Sequence, residues 1–360
     1  MSKVSVLVKS ITEKSLIQQA EAAIRTCLAD IPFSEIDEVA VERGTDESRS
    51  GLEISARFGK LRKRLIVEAK SSGQPRIARQ AATNLRLLRQ SSPSMYGIFA
   101  APFITLETGE QLAEQDIGYV DFAGNCRLCF DSVYIRREGR ANRFTEKRDL
   151  RTMYSPRAES VLRVLLGDQK RSWKVQELAT AAGVSLGLVS NVKRLLEARE
   201  WVASSEGGMT LAQPRKLLDE WRGVYRPDRN RRYDFFSLDS IATIEQKIAD
   251  ACKRQSSLYA LAAFSAAARY APAVRYQRVF AYVDMDIDGL AKTLSLKPVD
   301  SGANVTLIKP YDRGIYLGSR EIGGCTITSP PQTYLDLFSL RGRGEEAAEF
   351  LLSNVMERAW

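Results

Sequence analysis

Trp173-Lys-Val-Gln-Glu-Leu-Ala-Thr-Ala-Ala-Gly183-Val-Ser185-Leu-Gly-Leu-Val-Ser190-Asn191-Val-Lys193-Arg194-Leu-Leu-Glu-Ala-Arg199-Glu-Trp201-Val202 is the stretch on which the reading of this chain turns. A short helix from Val175 to Ala181 is closed by Gly183, suited to a tight turn between helices, and Ser185 caps a longer helix running to about Arg199. Leu188, Val189, Val192, Leu195 and Leu196 recur at helical spacing and form its core face. Ser185, Gly187, Ser190, Asn191, Lys193 and Arg194 are left for the other face, and these residue types reach base edges and phosphates. This is a helix-turn-helix, with double-stranded DNA as the first partner to consider.

The flanks extend the motif. Trp201 to Ser204 reads as a strand, Glu206-Gly207-Gly208 as a turn, and Met209-Thr210-Leu211 as the returning strand. With a preceding helix from Ser155 to Leu166, residues 155–213 form a winged helix-turn-helix. Arg171, Lys174 and the wing around Gly207 are then placed for the DNA backbone, and Ser185, Ser190, Asn191, Lys193 and Arg194 for the groove. The competing reading of this segment is a helical module that only packs, dimerises or docks a protein.

Charge follows the same boundary. The net charge is +9, and Arg136 to Arg232 holds 22 Lys and Arg against 12 Asp and Glu, so the rest of the chain is nearly neutral. A surplus clustered in this way is the footprint of phosphate binding.

Composition narrows the chemistry. The 360 residues, 44% of them hydrophobic, suffice for two or three domains. No apolar run reaches the roughly 18 residues of a membrane span, and the opening Met1 to Lys9 is too short and too interrupted for a secretory leader, so a cytoplasmic protein is expected. The five cysteines form an odd, scattered set that fits a reducing compartment; Cys126 and Cys129 are spaced as CxxC but read as buried thiols rather than a zinc site. The chain contains no histidine, which excludes a His general base, a His-activated nucleophile or an HExxH metal site for this chain acting alone.

The N-terminal region, residues 1–140, is expected to be an α/β sandwich: a helix from about Glu13 to Leu28, a meander over Ile36–Glu42, Leu52–Phe58 and Arg64–Lys70, then alternating helices and strands to Phe122. Within it, Glu68 and Lys70 project to one face of a strand end. A carboxylate and an ammonium there, with a further acid on a neighbouring strand, can hold Mg²⁺ and orient a water against a phosphodiester. Ile66-Val67-Glu68-Ala69-Lys70 and its surroundings, about residues 30–138, resemble the PD-(D/E)XK restriction-endonuclease-like fold. The resemblance implies Glu68 and Lys70 as half of a catalytic motif, with Glu53 standing where that family places an aspartate. Glu53 is the longer acid in an unsettled register, so a non-cleaving version of the fold is expected, and a metal-dependent nuclease built on Glu53, Glu68 and Lys70 is the alternative.

The C-terminal region, residues 234–360, reads as a second α/β unit, with a helical part over Ser237–Ala271 and a final helix from Gly344 to Trp360. Its Asp284-Met285-Asp286-Ile287 matches the acidic pair of nucleotidyltransferases, but the upstream Phe264-Ser265 has alanines where that fold uses glycine, so a degenerate relative is expected. A calcium loop starting at Asp284 fails because Ser295 stands where a bidentate Glu is required. The connector Tyr225–Tyr233, arginines between two tyrosines, reads first as a solvated linker and second as a nucleic-acid contact.

From the second helix of the motif onward, about residues 155–360, the chain resembles the AbiEi antitoxins of type IV toxin-antitoxin systems. Val184-Ser185-Leu186-Gly187-Leu188-Val189-Ser190-Asn191-Val192-Lys193, Leu217-Leu218-Asp219-Glu220-Trp221, Ala303-Asn304-Val305, Pro330-Pro331-Gln332-Thr333-Tyr334-Leu335-Asp336-Leu337 and Arg343-Gly344-Glu345-Glu346-Ala347-Ala348-Glu349 carry the resemblance. It implies a bacterial, non-enzymatic regulator whose winged helix binds an operator, often that of its own operon. Its C-terminal domain would oppose a nucleotidyltransferase toxin with or without a stable complex. No cofactor or resident metal is expected, and a homodimer is compatible with this reading.

Overall fold

The computed structural model describes residues 13–43, 50–92, 94–144, 152–271, 275–340 and 342–360. The opening stretch read for a leader and the middle of the 140–154 connector lie outside these residues. The chain divides into two compact units, Met1–Glu146 and Lys147–Trp360.

The first unit is built on a seven-stranded sheet in sequential order: β1 (Ser34–Arg43), β2 (Ser50–Phe58), β3 (Leu61–Ala69), β4 (Met95–Ala101), β5 (Gly118–Asp121), β6 (Cys126–Phe130) and β7 (Val133–Arg137). The β3–β4 and β4–β5 pairs are parallel and the others antiparallel. The parallel steps need crossovers, supplied by α2 (Pro75–Ser91) and α3 (Leu106–Ala113) on one face. Leu85 of α2 and Leu112 of α3 pack there on Ile66, Phe99 and Tyr119. On the other face α1 (Glu13–Leu28) lays Leu16, Ala20 and Ile24 onto Leu52, Ile54, Leu65, Val67 and Ile98. Residues Leu65 to Ala69 are therefore buried on both sides, which explains a continuous apolar run interrupted only by Glu68.

The second unit opens with α4 (Pro156–Gly167), α5 (Val175–Ala182) and α6 (Leu186–Ala198), followed by a hairpin of β8 (Val202–Ser205) and β9 (Gly208–Leu211) and by α7 (Pro214–Val224). A second seven-stranded sheet follows, in the order β13 (Lys297–Pro298), β10 (Arg231–Phe236), β14 (Val305–Lys309), β12 (Val279–Val283), β11 (Tyr259–Leu261), β16 (Cys325–Ile327) and β15 (Arg320–Ile322). Strand β12, Val-Phe-Ala-Tyr-Val, states the sheet's logic by its period of two. Val279, Ala281 and Val283 face α8 (Ile241–Arg254) and α10 (Ile287–Thr293). Phe280 and Tyr282 face the opposite layer, where α9 (Ala263–Tyr270), α11 (Pro330–Phe338) and α12 (Arg343–Leu351) lie.

That opposite layer is shared with the helical segment. One apolar cluster runs from Val161, Leu165, Leu195 and Leu196 through Leu217 and Trp221 to Tyr334, Leu335 and Leu351, so the stretches read as 155–213 and 234–360 pack as one body. The connector Tyr225–Tyr233 departs from a solvated linker: Tyr225 and Asn230 are buried, and Arg231 to Tyr233 already belong to β10, paired with β14. Likewise the 237–271 segment, read as helical, is broken by β11. The cause of the latter is that a short apolar run such as Tyr259–Leu261 carries no usable periodicity.

Candidate nucleic-acid interface

The helix pair is set by two residues whose backbone requirements are local. Gly183 ends α5 in the left-handed region at φ 65, which only glycine adopts without strain. Ser185 begins α6, its hydroxyl accepting the Leu188 N–H at 3.3 Å. Val189, Val192, Leu195 and Leu196 are buried, each burial stabilising the packing by about 1.5–3 kcal/mol. Their stripe turns Ser190 and Arg194 outward as exposed residues.

The two-stranded hairpin gains one further backbone partner, because Trp173 makes an isolated antiparallel bridge to Met209 through bonds of 2.8 and 2.9 Å. This bridge ties the start of α5 to the hairpin. Gly208 permits it, since a Cβ at that position would stand 2.6 Å from the Trp173 carbonyl oxygen, and its φ of 131 is one that side chains rarely adopt.

The residues singled out for DNA do not all have equal freedom. Ser185, Ser190, Arg194, Arg171, Lys174 and Gly207 are exposed, and Asn191 is half-buried with its Oδ1 accepting from Arg194 Nη2 at 3.1 Å. Lys193 is half-buried and paired with Glu197 at 3.6 Å. Glu197 also accepts from Ser204 at 2.7 Å, so Lys193 serves the junction of α6 with the hairpin. Arg171 stacks on the Trp173 ring, 3.9 Å from its centroid, and pairs with Glu177 at 3.6 Å. Lys174 is exposed immediately before α5, where its charge adds to the free N–H groups of a helix start. The sequence reading missed Leu186, 52% exposed at the first position of α6 and off the buried stripe. An apolar side chain there suits a thymine methyl group.

In the first unit, Glu68 is buried at the end of β3, its Oε1 held by Lys70 Nζ at 3.0 Å and by Asn84 of α2 at 3.2 Å. Glu53 does not join them. In the β2–β3 register Gly51 stands opposite Glu68, while Glu53 stands opposite Ile66 and pairs with Arg64, further back along the strand. No group of three or more Cys, Asp or Glu able to hold a metal occurs among the described residues. Asp121, at the end of β5, is a structural carboxylate: it accepts the N–H groups of Ile104, Gly124 and Asn125, and burial lifts it above the usual carboxylate range.

The acidic pair of the second unit is likewise spent on the fold. Asp284 pairs with Arg313 at 2.7 Å and Lys309 at 3.4 Å, and Asp286 caps α10 by accepting the Gly289 N–H at 2.8 Å. Ser265, the partner sought upstream, is fully buried and accepts the Phe280 N–H at 3.3 Å. No helix among the described residues is long and apolar enough to cross a membrane.

In the second unit two helices joined by a glycine turn, the second capped and polar on its outer face, and a following hairpin stand on an α/β body. Residues 210–357 match the family described as "Transcriptional regulator, AbiEi antitoxin, Type IV TA system". The matched residues begin after α6 and do not include the helix pair. No curated protein matches the chain. Among solved structures, EndoMS in its apo form is similar at 15% identity and a TM-score of 0.21, over 28% of this chain and 44% of that one. The chain thus spans under half the length of that structure, and a likeness this slight assigns no fold.

Proposed function

We propose that this chain is a DNA-binding transcriptional regulator, the antitoxin and autorepressor of a type IV toxin-antitoxin operon. Residues 155–213 act as a winged helix-turn-helix on a double-stranded operator. The observation that carries the reading is the outer face of α6, where Ser190, Asn191 and Arg194 stand beside the capped helix start. The antitoxin role is supported by the family match over residues 210–357. The toxin opposed is a nucleotidyltransferase, reached directly or through its target, and the C-terminal sheet is a degenerate relative of that fold. A non-catalytic role agrees with the structural duties of Asp284 and Asp286.

Electrophoretic shifts of the full chain on duplex DNA from immediately upstream of its own reading frame, against a scrambled duplex, test the reading. Preferential binding that disappears in Asn191→Ala/Arg194→Ala is expected. Equal binding to both duplexes, or an unaffected double variant, refutes it.

A second reading, a metal-dependent nuclease of the PD-(D/E)XK type, rests on buried Glu68 with Lys70 Nζ at 3.0 Å. Cleavage of duplex DNA with Mg²⁺ or Mn²⁺ that is lost in Lys70→Ala would replace the regulator by that enzyme. The Glu53 register favours no cleavage.

A further inference from the structure

Cys27, in the last turn of α1, and Cys126, the first residue of β6, stand 99 positions apart in sequence with their sulfurs 2.8 Å apart. Bonded sulfurs lie about 2.05 Å apart, so joining these two requires a closure of under about 1 Å. Both residues are 2% exposed, yet both line a cleft of 380 Å³ walled by Gln19, Ala23 and Thr26 of α1 and by Phe122, Gly124 and Phe144. A small oxidant entering that cleft meets the pair.

The local charge gives the two sulfurs different roles. The Cys27 S–H donates to the Cys126 sulfur, and this hydrogen bond, with the Arg137 guanidinium nearby, holds the Cys126 thiol below its ordinary range against the effect of burial. The same bond and burial push Cys27 up. Arg137 is fixed in place, donating to the carbonyl oxygens of Thr26 and Cys27 at 3.2 Å each and pairing with Asp30. Cys126 is therefore the attacking thiolate and Cys27 the resolving thiol.

We propose that Cys27 and Cys126 form a dithiol site that reduces a hydroperoxide and closes to a disulfide. The Cys126 thiolate attacks one peroxide oxygen, the O–O bond breaks, and Cys126 becomes a sulfenic acid while the departing hydroxide takes up the proton Cys126 released on ionising and leaves as water. The Cys27 sulfur then attacks the Cys126 sulfur, the S–O bond breaks, and the leaving hydroxide takes the Cys27 thiol proton as the second water. Two thiols and one hydrogen peroxide give one disulfide and two waters. The other described cysteines lack this arrangement: Cys129 is exposed, and Cys252 and Cys325 are buried in the second unit. The site also adjoins the chain's path out of the unit, because Arg140 and Asn125 exchange hydrogen bonds of 2.8 and 3.2 Å and Phe144 packs edge-on against Phe122.

Peptide mapping of the full chain tests the proposal without depending on a variant. After equimolar hydrogen peroxide, alkylation and unreduced trypsin digestion, cleavage after Arg127 places Cys126 and Cys129 on separate peptides. The expected product joins Thr26–Arg43 to Gln90–Arg127 with the loss of two hydrogens, and dithiothreitol reverses it. In Cys27→Ser, Cys126 should stop at the sulfenic acid and be trapped by dimedone. Recovery of both cysteines alkylated, or oxidant found only on Cys129, overturns the proposal.

Discussion

Arg163 donates from Nε at 2.9 Å and from Nη2 at 2.7 Å to the same oxygen, Oε1 of Gln332, with its guanidinium wholly buried. The two residues are 169 positions apart and join α4, the first helix of the helical segment, to α11. Gln332 passes the contact on through its amide, which donates to Tyr225 at 2.9 Å and to Asp336 at 2.8 Å. Glu159 lies 3.4 Å from the guanidinium, and Trp221 lies beneath it, 5.1 Å from ring centroid to Arg163 Cζ. The proline-glutamine-tyrosine segment of α11 is thus the anchor by which the sheet layer holds α4 and the helical segment it opens.

Removing one side of that anchor should cost more than removing both. Gln332→Ala leaves a buried guanidinium short of its acceptor and should destabilise the second unit by about 2–3 kcal/mol in urea unfolding. Glu159→Gln/Arg163→Leu/Gln332→Leu, which removes both buried charges together with the shared acceptor, should recover most of that loss. Equal destabilisation by the single and the triple variant would refute a buried charge held by Gln332.

Asp336 makes stability depend on pH in an unusual direction. Complete burial lifts its carboxyl to about 6 despite hydrogen bonds from Tyr282 and Gln332, above the ordinary 3.8. The folded state therefore binds the proton more tightly than the unfolded chain, so this carboxyl's contribution is full below about pH 4 and is lost as pH rises through 6. Wild type should lose about 3 kcal/mol relative to Asp336→Asn between pH 4 and pH 7. Parallel pH profiles of unfolding free energy for the two proteins would remove Asp336 as the cause. Glu159, also raised by burial, pulls in the same direction and is unchanged in the comparison.

Lys174 and Arg194 should separate by what they read. On an operator duplex, Lys174→Ala should weaken binding to all sequences alike and reduce the slope of log affinity against log salt by about 1. Arg194→Ala should cost about 1–3 kcal/mol and relax discrimination at one base position. Fluorescence anisotropy at three salt concentrations with matched and mismatched duplexes distinguishes them; identical behaviour of the two variants would contradict this division.

Gly208→Ala should open the hairpin without unfolding the unit. The added Cβ meets the Trp173 carbonyl at 2.6 Å on a backbone at φ 131, a strain of about 1–3 kcal/mol. Faster hydrogen exchange at the Trp173 and Met209 amides, with the α6 core amides unchanged, is the expected signature. Gly207→Ala, whose nearest neighbours lie 3.7 Å away, is the control and should exchange as wild type does.

Local chemistry made much of this chain legible before any tertiary contact was known. Gly183 and Ser185 wrote the turn and cap of the helix pair, and the Val189–Leu196 stripe separated its core from its outer face, because helix ends and amphipathic period are decided within a few residues. Alternating strands and the helix at Glu13–Leu28 were readable for the same reason. Relations across long separations were not. The pairing of Gly51 rather than Glu53 with Glu68 depends on strand register, which a single sequence does not state. The burial of Asn230 in a connector dense with arginine, the use of Lys193 by Glu197, the Arg163–Gln332 anchor and the meeting of Cys27 with Cys126 all arise when distant segments are packed into one core. The sequence by itself determined the helix pair with its turn and cap and which face of α6 is polar; only the tertiary structure decided which polar groups are spent inside the fold and which remain free to act, because burial converts a side chain's chemistry into a demand for partners that sequence proximity does not supply.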